Sequence, residues 1–374
     1  MLTSATKRRC ISCASLCASA IFVFAGTAVA DDGAFLDRLH TVQLVASTVP
    51  ASGDVNPYGV AIVPRSIGTL VRGNVLVSNF NNTGNLQGTG TTIMQVTPQG
   101  TASVFAQIGT DGAAAACPGG IGLTTALVAL RRGWVVVGSL PTQDGTAPTA
   151  AAGCLIVLDS NGRVVEILGG NGINGPWDMT AADYGDRALL FVTNVLNGDV
   201  TNGAPHVVTE GTVLRIALDV PQAGRGLPEL RDVTVIASNL AEISDPVALV
   251  IGPTGVGLGD DGTLYVADSA ANRIIAIPRA TTRQTSALTG IEVTRDGALN
   301  DPLGLAIAPN GDIVTTNGND GSLVETTPRG TQVAVKTVET ATGAGSLFGL
   351  AIATGPRAIY FVDDGDNTLK AFVR

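Results

Sequence analysis

The sequence predicts an all-β fold, a six-bladed β-propeller of four-stranded blades whose last blade is closed by an N-terminal strand. Three observations predict it. A pattern of three short apolar strands separated by turns recurs six times along the chain. Glycine is abundant, 47 of 374 residues against an ordinary share of ~7%, while charged residues make up only 14%; that balance favours many turns over helices. Finally, the sixth repeat runs out of chain before its outer strand, and one strand-like segment stands unassigned ahead of the first.

The repeats come first because their period decides the architecture. Each opens on a Pro or apolar anchor followed by an apolar run: "NPYGVAIV", "CPGGIGL", "GPWDMTAA", "DPVALVIG", "DPLGLAIA" and "SLFGLAIA". Their anchors are Pro57, Pro118, Pro176, Pro246, Pro302 and Leu347. A second strand then ends near a short polar residue: "GNVLVSN", "GWVVVGS", "ALLFVTN", "GTLYVAD", "GDIVTTN" and "AIYFVDD". Third strands follow in "TTIMQV", "GCLIVL", "GTVLRI", "NRIIAI", "GSLVET" and "NTLKAF". Val- and Ile-rich runs at this spacing, bounded by Gly-Asp and Asn-Gly turns, describe a propeller blade. Outer strands are visible in "TASVFAQI", "RVVEIL", "DVTVIAS" and "TQVAVKTV"; in the fourth unit the outer strand lies somewhere within "RQTSALTGIEVT". Pairing Thr41–Ser47 as the outer strand of the last blade closes the ring and hides a sheet edge that would otherwise invite association.

The stretch "DPVALVIGPTGVGLGDDGTLYVADSAANRIIAI" resembles an NHL repeat, and "LNDPLGLAIAPNGDIVTTNGNDGSLVETTPRG" resembles a second. The chain after residue 30 resembles the six-bladed propellers of the broad NHL and SMP-30/gluconolactonase-like group. The lactonase branch of that group binds a divalent metal in its central channel through a Glu, two Asn and an Asp. Its opening motif has a Glu two residues before a Pro-x-Trp. Here "NGPWD" puts Asn174 in place of that Glu, and Trp177 directly follows Pro176. None of the family's catalytic residues is carried over.

Residues 1–30 read as an export signal: Lys7, Arg8 and Arg9, an apolar run, then Ala28-Val29-Ala30 as a cleavage site. An uncleaved anchor is the alternative, against which the run is short for a span. Residues 31–374 are then a single propeller domain, secreted or periplasmic. Losing residues 1–30 removes three basic side chains and no acidic one, so the formal charge moves from −9 to −12. Such a surface repels phosphate backbones and anionic lipid, which argues against nucleic acid and membrane partners. Two cysteines remain, Cys117 and Cys154. An isolated pair in an exported protein reads most simply as one disulfide, with two buried thiols as the alternative.

Strand alternation puts the starts of first strands and the ends of second strands on one face. Asn56, Asp245 and Asp301 fall there from strand starts; Asn79, Ser139, Asn194, Asp268, Asn317 and Asp363 fall there from strand ends. Six equivalent positions cannot all be one catalytic group, and an Asx side chain that accepts N–H bonds from the next turn is the local explanation. The face as a whole is the better candidate. Three long connections emerge on it, "FNNTGNLQGTG", "LPTQDGTAPTAAAG" and "VLNGDVTNGAPHVVTEG", and long loops often carry function. Behind the polar rim, Tyr58, Trp177, Val247, Leu303 and Phe348 would form an apolar, partly aromatic layer. A small molecule or protein binding there would touch Asn56, Tyr58, Asn79, Trp177, Asn194, Asp245, Asp268, Asp301, Asn317, Phe348 and Asp363.

Familiar chemistry is scarce. The two histidines, His40 and His206, have no metal-ligand spacing. Gly170–Gly175 matches G-x-G-x-x-G by letter, but a strand follows it where the dinucleotide motif needs a helix N-terminus. Calcium is the ion that these Asp, Asn and carbonyl oxygens would suit; no cofactor is otherwise indicated. Two readings remain open: a ligand- or protein-binding scaffold without catalytic groups, and a divalent-metal-dependent hydrolase or lactonase of the SMP-30-like type.

Overall fold

A computed structural model describes residues 1–2, 33–198, 206–246, 248–340, 346–353 and 358–374. The export signal expected over residues 1–30 and the layer position of Val247 lie outside the described residues. Ala34–Arg374 form one compact unit built of six antiparallel sheets. The first blade is β2 (Val55–Ile62), β3 (Val75–Asn81), β4 (Thr92–Val96) and β5 (Ala102–Gln107). The second is β6 (Leu123–Ala129), β7 (Val135–Ser139), β8 (Cys154–Leu158) and β9 (Val164–Leu168). The third holds β10 (Gly175–Asp183), β11 (Arg187–Val195), β12 (Val208–Asp219) and β13 (Glu229–Asp245), with a fifth short strand, β14 (Leu249–Ile251). The fourth is β15 (Pro253–Leu258), β16 (Leu264–Asp268), β17 (Arg273–Ile277) and β18 (Ile291–Arg295). The fifth is β19 (Pro302–Ile307), β20 (Ile313–Asn317), β21 (Ser322–Thr326) and β22 (Gln332–Thr337).

Closure is as expected. The sixth blade runs β23 (Leu347–Ala353), β24 (Ala358–Asp363) and β25 (Thr368–Val373), and its outer strand is β1 (Thr41–Ser47) from the other end of the chain. Thr41 pairs with Val373 and Ser47 with Thr368, so both chain ends are held in one sheet. A second latch precedes β1. The backbone N–H groups of Phe35 and Leu36 each donate to the buried Glu325 carboxylate at 2.7 Å, and Phe35, Leu36 and Leu39 are buried between the fifth and sixth blades.

Two of the six anchors differ from expectation. "CPGGIGL" is not an inner strand: Cys117 ends a short 3-10 helix (Gly112–Ala116), and the strand starts at Leu123. "DPVALVIG" is not one either, so Asp245 does not start an inner strand. It ends the long β13, and its Oδ1 accepts the Ala248 N–H at 2.7 Å in the turn leading to β14. Pro246 lacks the N–H that a ladder needs and sits in that turn; the fourth blade begins at Pro253 instead. The extension of β13 with β14 lies over the upper end of the channel, where Ala248, Leu249 and Val250 join one core cluster with Tyr58, Phe80, Trp177 and Phe348.

The inner strands pack by close approach. In register, the residue two after the anchor is Gly59, Gly255, Gly304 or Gly349 in four blades. A Cβ on Gly304 would sit 2.3 Å from the Phe348 carbonyl oxygen, and one on Gly349 would sit 2.2 Å from that of Tyr58. Only glycine lets neighbouring backbones meet so closely. The second blade has Thr125 at this position and the third has Asp178.

Candidate functional site

The six second-strand ends, Asn79, Ser139, Asn194, Asp268, Asn317 and Asp363, occupy equivalent positions: each pairs with the first-strand anchor of its blade, and all are fully buried. Their work is largely local, by a route differing from the simple Asx turn. Asn194 Oδ1 accepts from Asn174 N (2.8 Å) and Gly175 N (3.2 Å), and its Nδ2 donates to Gly172 O. Asn317 accepts from Asn300 N and donates to Ala298 O, and Ser139 bridges Gly122 N and Gly120 O. Each holds the segment arriving at its own inner strand. Asn79 instead donates to Thr48 O, and Asp363 alone accepts from the N–H two residues on, that of Gly365. Asp268 pairs with Arg273 at 2.7 Å, yet burial outweighs that partner and raises its carboxyl above the usual range.

Trp177, Tyr58 and Phe348 do form one layer, but it is a plug rather than an open throat. Tyr58 stacks on Phe348 at 3.9 Å and on Phe80 at 4.4 Å, with Trp177 6.2 Å away. All are at most 2% exposed, and Trp177 donates its indole N–H to Val250 O at 2.8 Å. The β13–β14 extension therefore covers the aromatic layer.

A polar cavity of about 640 Å³ lies on the same face, lined by Asn56, Asn81, Gln87, Pro246, Asp364 and Asn367 among others. The first long connection bounds it, and Gln87 Nε2 donates to Pro246 O at 2.8 Å. The second connection locks onto the first through a Thr142 hydroxyl bond to Gln87 O. The bridge between Cys117 and Cys154, with Cα atoms 5.6 Å apart, ties down the segment from which the second connection enters β8.

Asn56 and Asp301, equivalent residues just before Pro57 and Pro302, both take left-handed backbone, at φ 60° and 57°. That conformation is uncommon outside glycine and clusters at functional sites. Asn56 Oδ1, Asp301 Oδ1, Asn81 Oδ1 and the Tyr58 hydroxyl are buried without a hydrogen-bond partner. Asn56 adjoins the Tyr58 hydroxyl closely enough to affect its titration, though outside hydrogen-bond geometry. Around them stand further carboxyl groups. Burial, then Asp245, pushes Asp301 up to about 7. Burial, then Asp363, pushes Asp364 up to about 7. Burial raises the Tyr58 hydroxyl well above its ordinary value, and Asp364 and Asp245 add to it. Asn56, Tyr58, Asp245 and Asp301 are thus brought together; Asn194, Asn317 and Asp268 serve their own turns. Asp364 was missed because, in sequence, it is one more acid in a turn.

A second acidic group lies at the edge of the sixth blade. Glu339, Asp363 and Asp366 offer carboxylate oxygens within 4.8 Å of one another, the donor type and spacing of a divalent-cation site. Here the Lys370 ammonium fills the centre, 2.5, 2.6 and 2.9 Å from Glu339, Asp363 and Asp366. A protein cation already neutralises this cluster.

No protein-family model matches the chain, and no curated protein matches it. Solved structures do. It is similar to a gluconolactonase from Xanthomonas campestris (13% identity, 89% of this chain and 90% of that one, TM-score 0.55). It is similar to a luciferin-regenerating enzyme (11%, 89% and 95%, TM-score 0.55). A third is the calcium-binding protein regucalcin from Agrobacterium tumefaciens (11%, 88% and 93%, TM-score 0.53). At such identities the likeness speaks of the fold: the chain is a six-bladed β-propeller resembling SMP-30/gluconolactonase-like and related NHL-repeat folds.

Proposed function

We propose that the protein is a divalent-cation-dependent hydrolase of small esters or lactones, working at the upper mouth of the channel. The observation that carries this reading is the convergence of Asn56, Asp245, Asp301 and Asp364 around the Tyr58 hydroxyl, where Asn56 Oδ1 and Asp301 Oδ1 are buried without a hydrogen-bond partner. Hard oxygen donors of this kind fit calcium, and Asn56, Asp245, Asp301 and Asp364 would hold it. A bound cation supplies polarisation of a carbonyl oxygen and a more acidic water. The likeness to a gluconolactonase and to a calcium-binding propeller supports this choice over a pure scaffold. Among the described residues no helix is long and apolar enough to cross a membrane. The export-signal pattern and the disulfide together support action outside the cytoplasm.

The test is hydrolysis of simple five- and six-membered lactones by purified protein with calcium or chelator. Metal-dependent turnover that is lost in Asp301→Asn supports the reading; no turnover with any divalent ion contradicts it. A binding module without chemistry is the second reading, favoured by the β13–β14 extension over the aromatic layer. Calcium binding without turnover would select it.

A further inference from the structure

The lower half of the central channel holds a second cavity, of about 440 Å³, independent of the upper mouth and separated from it by the Tyr58–Phe348 plug. Every inner strand contributes apolar wall to it: Val60, Leu127, Met179, Val256, Leu305 and Leu350. Deep within stands one carboxyl group, Asp178, 8% exposed. It occupies the register position that is glycine in four other blades, at each of which a Cβ would meet a neighbouring atom at 2.4 Å or less. Its Oδ1 accepts the Met179 N–H at 2.7 Å and its Oδ2 accepts the Val256 N–H at 3.2 Å, across the gap between the third and fourth blades. Each oxygen keeps a lone pair in reserve. The other charged residues lining the cavity, Arg131 and Asp183, lie at the ends of β6 and β10, and the Arg131 backbone N–H is bonded to Asp183.

We propose that this cavity is a ligand site for a small amphiphile carrying a protonated amine on an apolar body. An ammonium donates to the spare lone pairs of Asp178 and replaces the counter-ion that the protein omits, while the apolar body covers the aliphatic wall. The cavity has the size of a small-molecule site and wall residues that are mostly aliphatic, while the surface it presents is more polar than apolar, so a ligand meets polar atoms beside Asp178 as well as side-chain carbons. Burial pushes Asp178 up to about 8, so an ammonium must displace its proton, and affinity rises between pH 6 and pH 8. Neither Arg131 nor Asp183 opposes this trend, since neither shifts Asp178.

Calorimetric titration of the full chain with n-hexylammonium and with n-hexanol tests the proposal. The expected result is one saturable hexylammonium site, at least tenfold tighter than hexanol, strengthening about fourfold per methylene from butyl to hexyl. Asp178→Asn abolishes the preference for the amine, and Ala181→Trp, which fills the cavity from its rim, abolishes both ligands. Equal affinities in the parent, no saturable binding, or an unchanged preference in Asp178→Asn would overturn it. Should Asp178→Asn fail to fold, the parent ratio and Ala181→Trp decide the matter by themselves.

Discussion

Replacing Lys370 by Met keeps an apolar stem but removes the cation that three carboxylates share. Asp363 is fully buried and the Glu339 side chain is 8% exposed, whereas Asp366 is 42% exposed. The Asp366 contact is therefore worth at most about 1 kcal/mol. The other two leave buried carboxylates uncompensated, a loss of roughly 3–5 kcal/mol when one partner of a buried pair is removed. At about 2 cal/mol/K of unfolding entropy per residue, that is a fall of roughly 4–7 °C in Tm. The sign with pH follows from the carboxyls. Burial, then Glu339, already raises Asp363 to about 6, against the lowering effect of Lys370; without the ammonium, Asp363 rises further. A folded-state carboxyl above its unfolded value loses stability as pH climbs from the unfolded pKa to the folded one. The deficit of Lys370→Met should thus be small at pH 4 and full by pH 8. Urea unfolding of parent and variant at pH 4, 6 and 8 measures it, and 5 mM calcium should recover part of the loss by entering the vacated position. A variant within about 1 kcal/mol of the parent at pH 8 would refute the reasoning.

Deleting residues 33–48 removes β1 and the Glu325 latch, and should cost several kcal/mol by exposing the β25 edge; a deletion chain with the parent's urea midpoint would contradict the closure. Trp177→Ala empties a buried site and breaks the bond to Val250, for a loss of roughly 3–5 kcal/mol in urea unfolding. Mutating Cys117 and Cys154 to Ser releases a loop of 37-residue separation, worth about 4 kcal/mol in the chain-entropy model, and thiol titration of the unreduced, unfolded parent should find neither thiol. In Asp178→Asn the decline of stability between about pH 4 and pH 8 should become shallower by the share of one carboxyl, because the native Asp178 stays protonated up to about 8 while the unfolded one ionises near 4; Asp301 and Asp364 keep their own share.

Much of the ring is written locally, and the rest is not. Six strand ends with short polar side chains, and an orphan strand before the first repeat, are periodic features that need no tertiary context. The anchors at Pro118 and Pro246 mislead because "CPGGIGL" and "DPVALVIG" carry the same Pro-plus-apolar signal as true inner strands. The hairpin of β14 on the end of β13, with Asp245 opposite Leu249, decides that the second belongs to the third blade. The mouth was half legible. Asn56 and Asp301 stand out as strand starts, but the closeness of Asp245 to Tyr58 and Asp301 depends on that extension, and so does Pro246 in the lining that Asp364 shares. Asp178 was readable in principle: aligning "PWDM" with "PYGV", "PLGL" and "LFGL" shows one acid among glycines. The signal is a departure from a repeat, and becomes visible only once the repeat's packing role is known.

The most direct test of a cation site at the upper mouth is calorimetric titration of chelator-treated protein with calcium, in the parent and in Asp301→Asn. One site should be seen in the parent, raising Tm with stabilisation of about 2.7 kcal/mol at 100 times Kd. Binding should be at least tenfold weaker in Asp301→Asn and unchanged in a turn variant on the lower face such as Asp261→Asn. No calcium binding to the parent, or equal binding to Asp301→Asn, would contradict the account.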